Sequence, residues 1–259
     1  MSNETGTKML LVTVSICFIC SVIVSTLAIN LRPLQEANKA LEKNLVILEA
    51  AGLLDEEKTD DIQALFDQLV EIRIVDLDRG EYVDTANINS YDQRKAAKNP
   101  TQNYPIPTEQ DIAKIKRRAQ KASVYLVQQD GKLKNLILPV HGYGLWSTMY
   151  GFLAFEADLN TITGLSFYEH AETPGLGGEI DNPKWRARWV GKFAHDKQGI
   201  PQLQVVKGRV DTSRTDAVYQ IDGISGATLT SRGVSNMVRY WLGENGFGPY
   251  LAKLRANSS

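Results

Sequence analysis

Residues 222–231 read DGISGATLTS and place five side chains that carry a hydroxyl or a carboxylate around two glycines and an alanine. Three kinds of chemistry fit such a run. A hydroxyl can simply cap a helix. The pattern GISGA from Gly223 approximates the nucleophile elbow of serine hydrolases. A hydroxyl such as that of Thr228 can also carry a phosphate-bearing cofactor covalently. The hydrolase interpretation fails, because that fold needs a histidine after the nucleophile and none follows His195.

The residues after this run predict the helix that would hold the hydroxyl in place. Apolar side chains recur on one helical stripe, and Gly243 supplies a stop. The residues of the stripe are Val234, Met237, Val238, Trp241 and Leu242. A helix begins with unpaired N–H groups and about half a positive charge, which suits a phosphate. The small residues Gly226 and Ala227 leave the backbone open to such a ligand.

An apolar segment near the start of the chain predicts a membrane anchor. Met9–Ile29 is 21 residues long and carries no charge, so a helix of this length spans roughly 32 Å, close to the hydrocarbon core of a bilayer. Cleavage as a signal peptide at Thr26–Ala28 stays an alternative. The basic residues beside the segment weakly favour a cytoplasmic location for the rest of the chain. They are Lys8 on one side and Arg32, Lys39 and Lys43 on the other.

Composition narrows the classes of function. The formal net charge is -1, which gives no electrostatic reason to expect a nucleic-acid partner. The chain has three histidines and no HExxH motif, so a histidine-built metal site is not expected. Cys17 and Cys20 lie in the apolar segment and offer only two ligands, so we interpret them as lipid-compatible side chains. A metal shared with another protein of a complex stays open.

The remaining patterns predict an α+β domain with a mostly antiparallel sheet flanked by helices. Strands are expected in the runs EIRIVDL, SVYLVQQDGKLKNLILPV (a hairpin at Asp130-Gly131), YGFLAFEAD, TITGLSFYEH and PQLQVVKG. Helices are expected from Leu34 to about Ala51, around Ile62–Leu69, around Ile112–Ala119, and from Pro183 through Trp185, Trp189 and Phe193. The polar stretch from Asn87 to Pro107 is expected to be a long surface loop. We divide the chain into a tail (1–8), a transmembrane helix (9–29), a mixed membrane-proximal region (30–122) and a sheet domain (123–259).

Three stretches carry a resemblance to a known family. DGISGATLTS is similar to the motif D-x-x-[ST]-G-A-[ST], at which some proteins receive FMN through a phosphoester bond. ETPGLGG, from Glu172 to Gly178, resembles a flavin-contact loop of the same proteins, although Gly175-x-Gly177 alone is weak. HGYGLWSTMYG, which contains Tyr143 and Trp146, also resembles a segment of that family. Together with the anchor, these stretches resemble the C subunits of bacterial sodium-translocating NADH:quinone oxidoreductases.

The resemblance implies a site for covalent FMN. Thr228 would be the acceptor, loaded by a flavin transferase that uses FAD as the donor. The other residues implied in cofactor binding are Ser225, Gly226, Ala227, Asp222, Glu172, Thr173, Pro174, Gly175, Leu176, Gly177, Tyr143 and Trp146. Lys207, beside the QLQVV run, is a further candidate whose charge would favour a reduced, anionic flavin; a solvated surface lysine is its alternative.

The resemblance also implies a place in a larger assembly. The FMN would relay electrons from NADH toward ubiquinone within the sodium pump, and no NADH site is expected in this chain, which lacks a dinucleotide fingerprint. The partners would be the other subunits, the flavin transferase and membrane lipid. The domain would lie on the periplasmic side of the bacterial inner membrane. The basic residues beside the apolar segment weakly favour the opposite, cytoplasmic side. The G subunit of an Rnf-type complex, with the same covalent FMN, and a membrane-anchored binding domain without a cofactor are the alternatives.

Overall fold

The computed structural model describes residues 2–54, 61–84, 88 and 91–258. Contacts divide the chain between Lys43 and Asn44, so that most of the first helix forms one unit and the remaining residues form the other. The sequence had suggested a boundary at 122/123 instead. The structure differs because the strand at 70–76, before that boundary, pairs directly with the strand at 121–129.

The described helices and strands follow in chain order. The helices are α1 (Ser2–Ala50), α2 (Ile62–Leu69), α3 (Gln93–Lys98), α4 (Pro183–Arg186), α5 (Thr228–Leu242) and α6 (Gly248–Ser258). The strands are β1 (Val70–Asp76), β2 (Glu81–Tyr82), β3 (Asn103–Pro105), β4 (Arg117–Ala119), β5 (Lys121–Gln129), β6 (Lys132–Tyr143), β7 (Thr148–Glu156), β8 (Ile162–Glu169), β9 (Gln204–Val205) and β10 (Gln220–Ile221). Short 3₁₀ helices cover Gly177–Asp181, Ala187–Trp189 and Thr215–Tyr219.

Helix α1 contains the predicted anchor. It runs without interruption from Ser2 to Ala50, through Pro33, and includes residues 2–8 of the predicted tail. The span from Gly6 to Ala50 is long and apolar enough to cross a membrane, and the side chains of its most apolar stretch are exposed. The helix ends as predicted, because Gly52 adopts the left-handed conformation (φ +67°) and Leu53 N–H bonds back to the Leu48 carbonyl.

A six-stranded sheet forms the centre of the second unit. Its order is β2-β1-β5-β6-β7-β8, and every neighbouring pair is antiparallel, as the sequence predicted. The β5–β6 hairpin turns at Asp130-Gly131, both with positive φ, which matches the twist of the strands. Strands β9 and β10 form a separate parallel pair of two residues each, so PQLQVVKG forms much less strand than expected.

Both faces of the sheet are covered, because side chains alternate along each strand. On one face, Val124 and Leu126 of β5 belong to a core that includes Val234, Met237 and other residues of α5. On the other face lies a smaller core between the sheet, the end of α1 and helix α2. Its members are Val46, Ile47, Leu48, Ala50, Ala51, Phe66, Tyr125, Val127, Ile137, Phe152 and Ala154. Helix α5, which begins at Thr228, is thereby fixed against the sheet.

Three expectations for local structure were wrong. Residues 112–116 form turns rather than a helix, since the Asp111 carboxylate accepts the N–H groups of Ile115 and Lys116, and Ala119 lies in β4. The helix from Pro183 ends by Trp189, so Phe193 lies beyond it and pairs with Thr161 as an isolated bridge. The expected loop before Pro107 contains α3 and β3; part of it, including 87, 89 and 90, lies outside the described residues.

Candidate cofactor site

The loop from β10 to α5 holds the DGISGAT run in a fixed turn. Ala227 N–H donates to the Ile224 carbonyl at 3.1 Å, and the Ser231 hydroxyl accepts the Ile224 N–H at 3.2 Å. Gly226 has φ +73°, a left-handed conformation that favours glycine, and a Cβ there would lie 2.9 Å from the Leu176 side chain. These contacts hold the backbone of the run in a single conformation, packed against the loop that contains Leu176.

Thr228 lies exposed at the first position of α5. The N-cap is Ala227, which has no side-chain hydrogen bond to the helix. Thr228 is thus not the capping residue that the simplest interpretation of the sequence suggested. Its hydroxyl is accessible beside a helix start whose N–H groups receive no side-chain cap, and Ser225 next to it is also exposed. Such an end attracts a negatively charged group.

Glu172 is buried and connects three segments of the site. Its Oε1 accepts the N–H groups of Leu145 and Trp146 at 3.0 and 2.9 Å, and its Oε2 accepts the Thr230 hydroxyl at 2.5 Å. With only 4% of its surface exposed, this side chain points into the protein. Glu172 therefore holds the 144–147 turn and the first turn of α5 together, and its contact with the flavin stays a prediction. Sequence analysis missed Thr230, although it lies within the quoted run.

Two glycines leave the space that the Glu172 carboxylate occupies. A Cβ on Gly144 would lie 2.5 Å from its Oε1, and a Cβ on Gly177 would lie 2.7 Å from its Oε2 and 2.6 Å from the Thr230 hydroxyl. Such separations do not occur between a Cβ and a polar atom. The second glycine of the GLGG stretch is therefore explained by packing under the site and needs no contact with a ligand.

The loop from Thr173 to Leu176 is exposed. The Thr173 carbonyl accepts the N–H groups of Leu176 at 3.1 Å and of Gly178 at 2.8 Å, and Gly175 has φ +75°. The loop is thus a closed turn that presents Pro174 and Leu176 to solvent. Leu176 lies against Gly226, so the ETPGLGG loop is next to the acceptor run.

Large apolar side chains near Thr228 are exposed to water. We call them the apolar rim, and they are Tyr143 (41% exposed), Leu145 (39%), Trp146 (64%), Leu176 (46%) and Leu229 (53%). Tyr143 and Trp146 are therefore not core residues. Leu145 and Leu229 were not predicted. Exposed apolar groups of this size mark surfaces that bind an apolar partner or ligand.

His170 lies next to this loop and is hydrogen-bonded at both ring nitrogens. Nε2 faces the Asp181 carboxylate at 2.6 Å, and Nδ1 accepts the N–H of Glu172 at 3.1 Å. The hydrogen bond to Asp181 holds the pKa of His170 above its usual value. The histidine thereby fixes the backbone at the point where the loop begins.

Asp222 of the motif has a structural role in this fold. Its Oδ1 accepts the Val210 N–H at 2.7 Å, its Oδ2 pairs with Arg188, and its backbone carbonyl accepts the Trp185 indole N–H. These bonds join the acceptor loop to α4 and to the loop at 206–210.

Lys207 is exposed on that second loop, and its proposed influence on a flavin stays a prediction. Cys17 and Cys20 are exposed on α1.

Comparison with known proteins agrees with this geometry. Residues 144–243 match the family described as "FMN-binding domain". The chain is 49% identical to the C subunit of the Na(+)-translocating NADH-quinone reductase of Pseudomonas aeruginosa over 98% of each chain. It is also 49% identical to the C subunit of the same reductase from Vibrio vulnificus, covering 98% of this chain and 97% of the relative.

Solved structures give the same result. The crystal structure of Shewanella oneidensis NqrC superposes with a TM-score of 0.78 at 38% identity, covering 85% of this chain and 99% of the other. The crystal structure of the C subunit of the reductase from Parabacteroides distasonis gives 0.65 at 28% identity, covering 85% and 96%. With an exposed threonine at a helix start, a similar fold and half of its residues shared with named relatives, this chain belongs to the family of Na(+)-translocating NADH-quinone reductase C subunits.

Proposed function

We propose that this protein carries FMN bound covalently, through a phosphoester, to the Thr228 hydroxyl and relays electrons within the sodium-translocating complex, from NADH toward ubiquinone. The observation that carries the proposal is the exposed Thr228 at an α5 start without a side-chain cap, beside an apolar rim. The relatives' name, which specifies NADH, a quinone and sodium translocation, supports the proposed electron relay within such a complex. Their match over nearly the whole chain favours this complex over an Rnf-type one.

Different residues of the chain would hold the phosphate and the flavin ring. The Thr228 oxygen would hold the phosphate, and the N–H groups of the first turn of α5 would stabilise its charge by about 0.3–1 kcal/mol. Gly226 allows the backbone to turn tightly before the helix. The exposed Leu176 and Trp146 offer apolar surface for a flat ring. Glu172 would position both sides of the site through its bonds to the 144–147 turn and to Thr230.

When bound, FMN supplies redox chemistry that accepts electrons singly or in pairs, and the protein sets its position and surroundings. A covalent link suits a relay, since a carrier that dissociates would interrupt the transfer. Attachment requires a flavin transferase with FAD as the donor. The Thr228 oxygen would bond to the phosphorus of the FMN half, the pyrophosphate bond would break, and AMP would leave as the hydroxyl proton is lost.

The position in the cell follows from α1 and from the attachment reaction. We propose that α1 crosses the bacterial inner membrane once, in contact with lipid and with the other subunits. The flavin domain would lie on the periplasmic side, where the transferase acts. A reporter fused after the C-terminus tests this, and activity of a reporter that works only in the cytoplasm would refute it.

The decisive experiment is a comparison of Thr228→Val with Thr228→Ser. Protein produced with the transferase should stay yellow after denaturation and gain the mass of FMN less one water. Thr228→Val removes the hydroxyl at nearly constant volume and should abolish both signals, whereas Thr228→Ser keeps the hydroxyl and should retain them. Flavin that remains attached to denatured Thr228→Val would refute the assignment. Wild-type protein without flavin from its native host would favour a binding domain without a cofactor.

A further inference from the structure

A pocket lined by basic residues lies beside the candidate cofactor site. It has a volume of about 350 Å³. Five cationic side chains line it, and no carboxylate does among the residues that the structure describes. These side chains are Arg94, Lys98, Lys114, Lys116 and Arg117. We call this feature the basic pocket. The whole chain has 29 basic and 30 acidic residues, so the positive charge is concentrated locally at this pocket although the chain as a whole is nearly neutral.

Four of these five charges are available to a partner. Arg94 is already neutralised by Glu169, with two hydrogen bonds of 2.7 and 2.8 Å, and its guanidinium lies 3.8 Å from the centre of the Tyr150 ring. The other four side chains are exposed, and within the described part of the chain none of them forms an ion pair. His141, which lines the floor, adds no charge at neutral pH, since burial lowers its pKa to about 4.

The backbone holds two of the lysines in unusual conformations. Lys114 has φ 54° and Lys116 has φ 65°, in the left-handed region where residues other than glycine are uncommon. The Asp111 carboxylate stabilises this turn by accepting the N–H groups of Ile115 and Lys116 at 2.9 and 2.8 Å. The turn therefore presents both ammonium groups at the pocket at a cost of about 1–2 kcal/mol per residue.

The basic pocket borders the cofactor site through Tyr143, which lines the pocket and belongs to the apolar rim. The Tyr143 carbonyl packs on Gly233 of α5, where a Cβ would lie 2.6 Å from its oxygen. Gly233 is five residues after Thr228, which corresponds to a rise of about 7.5 Å along the helix. A protein seated on the basic pocket would therefore be brought close to whatever Thr228 carries.

The form of the pocket indicates the class of partner. Specific binding of a small anion needs fixed donors, whereas the four free charges lie on long, exposed side chains. Such a cluster suits a broad acidic surface that is attracted electrostatically and held weakly, as in brief electron-transfer encounters. We propose that the basic pocket docks an acidic surface of the protein that exchanges electrons with the cofactor on Thr228. This inference rests on the proposed function.

The test compares two matched pairs of exposed lysines in the assembled complex. Lys114→Gln with Lys116→Gln removes charge at the pocket, and Lys132→Gln with Lys134→Gln removes the same charge at the β5–β6 hairpin. At low salt, the pocket pair should slow NADH-driven electron transfer to quinone by about three- to tenfold, and the hairpin pair should not. At about 0.5 M salt, where charges are screened, the difference should disappear. Equal rates for both pairs across this salt range would overturn the proposal.

Flavin content separates this inference from the proposed function. Both double variants should keep covalent flavin at the wild-type level. Loss of the flavin from the pocket pair would overturn docking, because the slower rate would then reflect a missing cofactor. Absence of flavin from wild-type protein would instead refute the proposed function.

Carbodiimide cross-linking provides a measurement independent of rate. This reagent joins an amine to a carboxylate that is in direct contact with it. In the native complex, Lys98, Lys114 or Lys116 should link to Asp or Glu of a neighbouring protein, and the hairpin lysines should not. Absence of such links would contradict docking. Binding of the wild type, but not of the pocket pair, to phosphatidylglycerol vesicles, together with an unchanged electron-transfer rate, would identify the pocket as a lipid site and overturn the proposal.

Discussion

Replacement of Glu172 tests whether one buried carboxylate holds the cofactor site together. Glu172→Ala leaves the N–H groups of Leu145 and Trp146 and the hydroxyl of Thr230 without their acceptor. An unsatisfied buried donor costs about 1–3 kcal/mol. Water can reach the two N–H groups, since Leu145 and Trp146 are themselves exposed, so we expect a total loss of about 3–4 kcal/mol in the free energy of unfolding.

Glu172→Gln should cost much less, about 1 kcal/mol, because the amide oxygen still accepts the two N–H groups and the amide NH2 donates to the Thr230 hydroxyl oxygen instead of accepting its proton. For a domain of this size, 1 kcal/mol lowers Tm by about 2–4 °C. Thermal unfolding of the full chain in detergent should therefore show a drop of roughly 6–16 °C for the alanine variant and roughly 2–4 °C for the glutamine variant.

A matched control is Glu244→Gln, at an exposed position outside the site, which should leave Tm within about 1 °C. The alanine variant should also load less flavin, since the first turn of α5 and the 144–147 turn lose their common anchor. A Tm for Glu172→Ala that matches the control would show that these hydrogen bonds contribute little and would refute the reasoning.

Three further measurements address other parts of the site and the core. Gly226→Ala should cost about 1–2 kcal/mol and reduce flavin loading, because φ is +73° there; unchanged loading and Tm would contradict this. Trp146→Ala should keep the covalent flavin and change the free energy of unfolding by less than about 0.5 kcal/mol, but alter the visible circular dichroism of the flavin. An unchanged spectrum would exclude Trp146 from the ring site. Burial, with a smaller contribution from Arg255 beside its Nδ1, lowers the pKa of His195 to about 4. The unfolded chain therefore binds the extra proton first, and stability should fall as pH drops from about 6.5 to 4. In denaturant titrations, His195→Gln should reduce the pH dependence of the free energy of unfolding in this range by an amount that corresponds to about one proton. An unchanged pH dependence would refute the assignment of this effect to His195.

The sequence predicted those elements whose pattern is local. The apolar stripe from Val234 to Leu242 predicted helix α5, because the spacing of apolar side chains indicates a helix. Asp130-Gly131 predicted the β5–β6 hairpin, because these residue types favour its tight turn. The turn at 112–116 was missed, since the Asp111 carboxylate competes for backbone N–H groups that a helix would use.

The part of the site that depends on distant segments could not be predicted from the sequence. Nothing local distinguishes a glutamate that touches a ligand from one that bonds to a turn 25 to 27 residues earlier and to Thr230 58 residues later. The motif placed the threonine at the helix start, and only the fold showed that Glu172 points inward. The rim residues Leu145 and Leu229 had no signal of their own, because exposed leucines in a sequence are indistinguishable from buried ones.

The fit of Glu172 between Gly144 and Gly177 also constrains how this site can diverge. A side chain at either glycine would occupy the space of the carboxylate, and without the carboxylate Thr230 would lose its acceptor. Loss of the carboxylate, or a side chain at either glycine, disturbs these contacts, so we expect descendants to retain Gly144, Glu172, Gly177 and a hydroxyl at position 230 or to exchange several of them together. The side chains of the apolar rim take no part in the hydrogen bonds of Glu172, so they can change while these four residues are retained.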